Sequence, residues 1–171
     1  GSINAWESDS YDAVTKAINT HFYALPRGTG FSGLGATLIE QFAKSGTDIS
    51  QSALSTSSSR TQSPAELKVQ QALLHSKADN LVSLTVKTAS GKTVTFSLAS
   101  QSAGLAAQAK VDGGALSAAE LKEVAKLGEA FQDAIDGLAA QPPKLELSKL
   151  TQFDSSVLAS VDLSGKLKVS N

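Results

Sequence analysis

Residues 80–100, NLVSLTVKTASGKTVTFSLAS, decide the fold, because apolar and hydroxyl side chains alternate along them with a period of two. The apolar positions are Val82, Leu84, Val86, Val94, Phe96 and Leu98. Between them fall mostly threonines and serines, and a Gly-containing turn divides the stretch in half. This pattern predicts an antiparallel β-hairpin with one face buried in a core and one polar face.

The same pattern selects the turn of the hairpin. A two-residue loop at Ser90-Gly91 would place Val86 opposite Thr95 and bring apolar side chains to both faces. A three-residue loop over 89–91 instead pairs Val86 with Val94 and keeps every apolar side chain on one face. Because a slip of one residue inverts all the side chains, burial favours the longer loop, with Gly91 in the left-handed position.

Helical periodicity surrounds the hairpin and predicts helices over about 9–23, 33–44, 64–74 and 117–138. Ser63 with Glu66, and Ser117 with Glu120, have the spacing of capping boxes at the starts of the last two. Gly128 lies near the apolar stripe of the longest helix and predicts close packing against another element. Weaker patterns predict a strand at 104–111, a short helix at 154–159, and a last strand over 161–169 or a small hairpin about Ser164-Gly165.

These elements predict an α+β fold, with N-terminal helices and an antiparallel hairpin or small sheet packed against a long amphipathic helix. Residues 45–63, SGTDISQSALSTSSSRTQS, contain few apolar side chains that could anchor them. We therefore expect a helical N-terminal segment at 1–49, a Ser-rich linker at 50–63 and an α+β domain at 64–171. A single domain across the whole chain is the alternative.

Composition and charge restrict the function. The 171 residues carry 15 basic and 16 acidic side chains, well mixed along the chain, which argues against nucleic-acid binding. The chain has no cysteine, so disulfides, thiolate zinc sites and a cysteine nucleophile are excluded. No apolar run approaches 18 residues, so no transmembrane segment is expected. Abundant Ala, Ser, Gly, Gln and Thr favour an exported, periplasmic or cell-surface location over the cytoplasm.

Three glycines, Gly28, Gly30 and Gly33, spell the G-x-G-x-x-G motif of dinucleotide-binding turns. That motif binds pyrophosphate only where a strand leads into it and a helix follows. Here the preceding residues have a helical pattern, so we predict a connecting loop and no nucleotide site.

Other resemblances to functional motifs also fail. Asp112-Gly113 is similar to part of an EF-hand calcium loop. With Gly113 at the sixth position, however, the first, third and twelfth positions hold Gln108, Lys110 and Ala119, which cannot supply the carboxylates. His21 and His75 lack any metal-ligand spacing and are interpreted as structural residues. The acidic residues of the long helix are interpreted as solvated charges; they are Glu123, Glu129, Asp133 and Asp136. No catalytic, cofactor-binding or metal-binding residue is predicted, and the chain is not expected to be an enzyme.

One surface is a candidate for recognition, namely the polar face of the hairpin. Its residues are Thr85, Thr93, Thr95 and Ser97. Either it is ordinary solvent-exposed surface, or it receives a partner, since polar strands can be extended by an added peptide.

Residues 80–165 resemble a loosely defined set of uncharacterised proteobacterial proteins. The resemblance rests on the hairpin, on VDGGALSAAELKEVAKLGEAFQDAI and on FDSSVLASVDLS. In that set a Thr/Ser-rich hairpin precedes a D-G-x-L-S-x-x-E helix, and no activity is known. The resemblance therefore implies a bacterial origin and transfers no functional residues.

The function expected from these observations is a non-catalytic interaction or structural domain of a larger bacterial protein, exported or associated with the envelope. A protein is the expected partner, and the oligomeric state is left open. The alternative is a small-molecule or lipid-binding domain, with its pocket between the hairpin and the long helix.

Overall fold

The computed structural model of the chain describes residues 2–25, 28–57 and 62–168. It confirms the α+β class, with a six-stranded antiparallel sheet of order β1-β2-β5-β4-β3-β6. The strands are β1 Ser2–Trp6, β2 Ile49–Ser57, β3 Asn80–Thr88, β4 Thr93–Gln101, β5 Gly104–Asp112 and β6 Leu158–Lys166. The helices are α1 Ala13–Phe22, α2 Leu34–Ser45, α3 Pro64–Lys77, α4 Ala118–Ala125 and α5 Leu127–Ala139, with a 3₁₀ turn at Ser148–Thr151.

The hairpin has the predicted register. Val86 pairs with Val94, and the pairing continues along both strands with apolar residues opposite apolar residues. Gly91 has φ of +94° in the predicted loop, and its N–H donates to the Thr88 carbonyl at 3.1 Å. Burial of one face therefore selected the longer loop.

Four helices, α1, α2, α4 and α5, contribute buried side chains to one core with this face of the sheet. At its centre Phe42 of α2 meets Phe96 of β4 edge to face, with ring centroids 5.3 Å apart. The apolar residues of the hairpin are fully buried in this core together with Phe131 of α5. Apolar side chains therefore occupy the region between hairpin and long helix where the alternative function placed a ligand pocket.

The long helix is bent where the sequence predicted a continuous one. It divides at Lys126, whose N–H donates to the Glu123 carbonyl at 3.2 Å in a tightened turn. Beyond the bend, α5 packs closely on α2: a Cβ at Gly128 would lie 3.6 Å from the Ala36 carbonyl oxygen. Gly128 therefore contacts α2, as predicted, but only at ordinary van der Waals distance. The tighter approach of the two helices is at Gly35 of α2, where a Cβ would lie 2.7 Å from Ile135 Cδ1.

The predicted linker at 50–63 is wrong over residues 50–57, which form most of β2. This strand pairs with β1 on one side and β5 on the other, and Gln51 to Leu54 are buried. Its small residues suit a strand that lies between two neighbours, with helices packed on both faces. Residues 58–61 of the predicted linker lie outside the described residues. Because β2 joins one sheet with strands from the predicted 64–171 domain, the two regions share a core.

The ends of the chain also differ from the sequence prediction. Strand β1 was not predicted, and α1 begins only at Ala13, because Asp12 accepts the Thr15 N–H at 2.8 Å as its cap. The predicted helix at 154–159 is wrong, since a turn there leads into β6, which pairs with β3 as one continuous strand. The predicted strand at 104–111 is confirmed as β5, and Val169 lies outside the described residues.

Among the described helices, α3 packs on the opposite face of the sheet and covers only part of it. Ser63 caps this helix by accepting the Glu66 N–H, as its sequence signal predicts. A small second core joins α3 to the sheet, formed by Leu54, Leu74, Ala78, Ala99 and Ala106. Among the helices of the described ranges, none is both long enough and apolar enough to cross a membrane.

Candidate interaction face

The four predicted interaction residues lie together on the sheet face that α3 leaves open. Thr85 pairs directly with Thr95, while Thr93 and Ser97 occupy neighbouring positions on the same face of β4. All four are partly exposed. The period-two pattern therefore predicted that these residues share one face of the hairpin, and their role in recognition stays a prediction.

Strands β5 and β6 extend this surface on either side of the hairpin. Twelve residues form three rows across β5, β4, β3 and β6, and we call this surface the open half-face. In that strand order, the first row is Gln108, Ser97, Ser83 and Ser164, the second is Lys110, Thr95, Thr85 and Asp162, and the third is Asp112, Thr93, Lys87 and Ser160. Seven of the twelve carry a hydroxyl group, four are charged and one is an amide. The surface is thus polar throughout, with two positive and two negative side chains.

On β4 and β5, the open half-face begins at the next position on the same face beyond the residues that α3 covers. On β4 the buried Ala99 is followed on that face by Ser97, and on β5 Ala106 is followed by Gln108. The apolar residues contact α3 and the polar ones lie beyond it. On this face of β4 and β5, the side chains therefore change from apolar to polar where the cover of α3 ends.

The charged residues of the open half-face have no partners in the described part of the chain. Lys110 and Asp162 belong to the same row, separated by Thr95 and Thr85, and neither side chain forms an ion pair or hydrogen bond there. Lys87 and Asp112 are likewise unpaired. These four charges remain available to a molecule that approaches this face.

A hydrogen-bonded cluster borders the open half-face where α3 ends. Glu7 Oε1 lies 2.7 Å from His75 Nε2 of α3 and accepts the Ser52 hydroxyl at 2.8 Å. Glu7 Oε2 accepts the Ser50 hydroxyl at 2.5 Å. The cluster joins the end of α3 to the β1 end of the sheet.

The environment of Glu7 determines its charge state. Burial alone would raise the pKa of this carboxyl, but the hydrogen bonds from His75, Ser50 and Ser52 outweigh burial and lower the pKa to about 2. Glu7 is therefore ionised throughout the physiological pH range.

The combination of Ser50, His75 and Glu7 has the residue types of a hydrolase triad but a different geometry. In a triad one imidazole nitrogen accepts the serine proton while the other donates to the carboxylate. Here Nε2 of His75 contacts both Glu7, at 2.7 Å, and the Ser50 hydroxyl, at 3.3 Å, and that hydroxyl donates to the carboxylate. The three side chains therefore lack the serine–imidazole–carboxylate order of a triad and instead join α3 to β2 and to the segment after β1.

Sequence reasoning missed this cluster, because its members come from three separate segments of the chain. Glu7 lies 68 residues from His75 and 43 residues from Ser50. The alternation of Ser50 and Ser52 within the predicted linker was the signal that could have revealed a strand. His75 lies in the last turn of α3, which extends three residues beyond the helix predicted over 64–74.

The other sequence motifs have the structural surroundings predicted for them. Helix α1 precedes the glycine motif, and Gly33 directly precedes α2, so no strand leads into a phosphate-binding turn. Gly113 forms part of the turn between β5 and α4 with φ of +92°. Over residues 2–25, 28–57 and 62–168, no three His, Asp or Glu side chains converge as metal ligands.

The interpretation of the long-helix carboxylates as solvated charges is wrong for Glu123. Its side chain is buried and accepts the Asp154 N–H at 3.0 Å and the Lys126 ammonium at 3.1 Å. These bonds, led by that of the Asp154 N–H, lower the pKa of Glu123. Glu123 is therefore a structural anchor for the segment that enters β6.

Comparison with known proteins adds no relative: no protein-family model, curated protein or solved structure matches this chain.

Proposed function

We propose that this chain is a non-catalytic interaction domain of a larger bacterial protein, and that its open half-face docks onto the same face of a second copy. The observation that carries the proposal is the placement of two unpaired, opposite charges in one row of a hydroxyl-rich surface, each one strand outside the central pair β3 and β4. The wider setting, in an exported or envelope-associated protein, is supported by the composition of the chain.

The side chains of the open half-face favour contact over simple hydration. Ser and Thr lose little conformational entropy when they are immobilised, whereas Lys and Glu lose much more. They are also short, so a second sheet can approach closely, and each hydroxyl both donates and accepts hydrogen bonds. A face formed mainly of such residues pairs with a polar surface at low entropic cost.

The positions of Lys110 and Asp162 identify a second copy as the partner. Lys110 lies on β5, one strand outside β4, and Asp162 lies on β6, one strand outside β3, in the same row. A two-fold axis between β3 and β4, parallel to the strands, would place Lys110 of each copy over Asp162 of the other. Because α3 projects from the same face, the two sheets would meet at the end away from α3 and diverge toward their α3 ends. Both ion pairs then form at once, as a symmetric interface requires.

The size of the open half-face indicates a weak association. Four strands and three rows of side chains cover roughly 400 Å² per copy, given the usual strand and residue spacings. The total lies below the area of stable complexes, in the range of transient ones. Exposed ion pairs contribute only about 0.2–1 kcal/mol each. Association therefore becomes strong where copies are held together within larger proteins.

Charge reversal tests this proposal. Sedimentation velocity from about 10 µM to about 1 mM should show reversible dimerisation of the chain. Lys110→Glu places a carboxylate opposite Asp162 of the second copy, and Asp162→Lys places two ammonium groups opposite each other, so each variant alone should remain monomeric. Mixed in equal amounts, the two variants should pair, because each contact then joins opposite charges.

The matched control is Lys122→Glu, which makes the same charge change at an exposed position of α4, away from this face. It should dimerise like the unaltered chain. The proposal is wrong if the unaltered chain stays monomeric up to about 1 mM, or if it dimerises and Lys110→Glu has no more effect than Lys122→Glu.

A further inference from the structure

We infer that the cleft between β1, the loop from β1 to α1, and α1 itself is a saccharide-binding site. The cleft has a volume of about 310 Å³, at the small end of the range for ligand pockets. Its lining residues are Trp6, Ser8, Asp9, Ser10, Tyr11, Thr15, Lys16 and Asn19. It lies at the β1 edge of the sheet and shares no residue with the open half-face.

Two aromatic side chains in the cleft provide the apolar part of the site. Trp6 is the only tryptophan of the chain and is half-buried at the edge of the main core. Tyr11 is 90% exposed, so packing within the fold does not account for it. Aromatic rings present electron-rich faces, against which the C–H groups of a sugar ring pack. Tyr and Trp also lose little entropy when a ligand immobilises them.

Unused polar side chains provide the rest of the site. In the part of the chain that the structure describes, the side chains of Asp9, Lys16 and Asn19 form no hydrogen bond or ion pair. Asp9 offers acceptors, Lys16 offers donors, and Asn19 offers both. This mixture matches sugar hydroxyl groups, which donate and accept at neighbouring positions.

Two glutamines hold the wall of the cleft in place before any ligand arrives. Gln51, only 2% exposed, accepts the Ser8 N–H at 3.2 Å and donates to the Ser8 carbonyl at 3.1 Å and the Thr15 hydroxyl at 3.0 Å. Gln41 accepts the Val14 N–H at 2.9 Å and donates to Asp12 Oδ2 at 3.1 Å. A loop ordered in advance reduces the entropy that binding must overcome.

The charge balance of the cleft favours a neutral sugar over a nucleotide. Among the described residues that line the cleft, Lys16 is the one cation and Asp9 the one anion, so a phosphate group would meet repulsion as well as attraction. A purely apolar ligand would leave the polar groups of the cleft without partners. A mono- or disaccharide uses both the rings and the polar groups, and its size suits the volume.

Trp6 makes the site directly measurable, because it is the single tryptophan of the chain and lines the cleft. Titration with N-acetylglucosamine, its β-1,4 disaccharide and cellobiose should give a saturable change of Trp6 emission for at least one sugar. Saturation-transfer NMR on the same samples should show the sugar C–H protons in contact with the protein. The absence of a saturable change and of transfer for all three sugars would overturn the inference.

Substitutions of cleft residues test whether the sugar binds in this cleft. Tyr11→Ala should weaken the sugar affinity about two- to tenfold, the loss expected for one aromatic contact. Asp9→Ala should also weaken it, and neither variant should unfold the chain, since both side chains lack partners in the described residues. Tyr23→Ala is the matched control, because Tyr23 is 74% exposed at the other end of α1. Equal affinity in Tyr11→Ala and Tyr23→Ala would exclude this cleft as the site.

Discussion

The two faces of the sheet differ in how they are covered and in what their residues do. One face carries large apolar side chains, such as Phe96 and Leu98, which are fully buried beneath the layer that includes α1, α2, α4 and α5. The other face carries alanines beneath α3. Beyond α3, where no described helix packs, it carries hydroxyl side chains. The same strands therefore serve stability on one face and remain available for recognition on the other.

This difference has a physical basis in the alternation of strand residues. Because successive side chains point to opposite faces, each strand can satisfy both requirements independently. Val94 is fully buried, and its neighbour Thr95 is half-exposed. Mutations of adjacent residues should consequently have very different effects on stability, and four predictions make the comparison quantitative.

Truncation in the main core should have the largest effect. Phe131→Ala removes a fully buried ring from α5, and we expect a loss of about 3–5 kcal/mol in the free energy of unfolding. Urea denaturation measures this loss. Glu129→Ala, at an exposed position of the same helix, should change stability by less than about 0.5 kcal/mol. Equal effects of the two substitutions would mean that α5 does not pack against this core.

The second core should be weaker but clearly measurable. Leu74→Ala on α3 removes a side chain that is 1% exposed, and a loss of roughly 2–4 kcal/mol is expected. Leu73, its neighbour, is 48% exposed, so Leu73→Ala should cost less than about 1 kcal/mol. The same denaturation experiment compares them, and a cost for Leu74→Ala no larger than that for Leu73→Ala would show that α3 is not anchored to the sheet.

Acid should weaken the fold through Glu120. The Ser90 hydroxyl, the Ser117 N–H and Lys92 all donate to this buried carboxylate and lower its pKa to about 2. Because the pKa is depressed in the folded state, the stabilisation is complete above about pH 4.5 and is lost as the pH falls through 2.

The comparison of Glu120→Gln with the unaltered chain isolates this contribution. Stability measured by denaturation between pH 7 and pH 2 should fall less steeply in the variant, by up to about 3 kcal/mol over the range. Glu129→Gln, at an exposed position, should retain the slope of the unaltered chain. If the free energy of unfolding fell equally with pH in all three proteins, the role given to Glu120 would be contradicted.

The open half-face should contribute least to stability. Thr95→Ala should change the free energy of unfolding by less than about 0.5 kcal/mol, because its side chain is only partly buried. Val94→Ala, one residue away, should cost about 2 kcal/mol, because its methyl groups are fully buried. A cost for Thr95→Ala close to that for Val94→Ala would indicate that the polar face is structural and not a recognition surface.

The hairpin and the helices could be predicted from the sequence because their signals are local. Alternation and turn chemistry set the register of Val86 with Val94, and the Ser63 and Ser117 caps marked where two helices begin. The fold class followed from the order of these elements. The four residues of the candidate interaction face were located by the same alternation.

The misplaced elements were those whose partners are distant in sequence. Strand β2 is rich in serine, and only its position between β1 and β5 explains why it is a strand. Likewise the charge on Glu123 is solvated in an isolated helix and is buried only because the Asp154 backbone meets it. In both cases the local sequence predicted the wrong environment, because the contacts that determine it join residues distant in the chain.

Local sequence patterns were enough to predict the class of the fold, the register of the hairpin and the polar character of one hairpin face, because these depend on side-chain period and turn geometry within a few residues. The extent of that face depends on tertiary structure, which places β5 and β6 beside the hairpin. It also assembled the Glu7–His75 cluster and the Trp6 cleft. Strand order and helix placement follow from the burial of the whole chain, which no local pattern encodes.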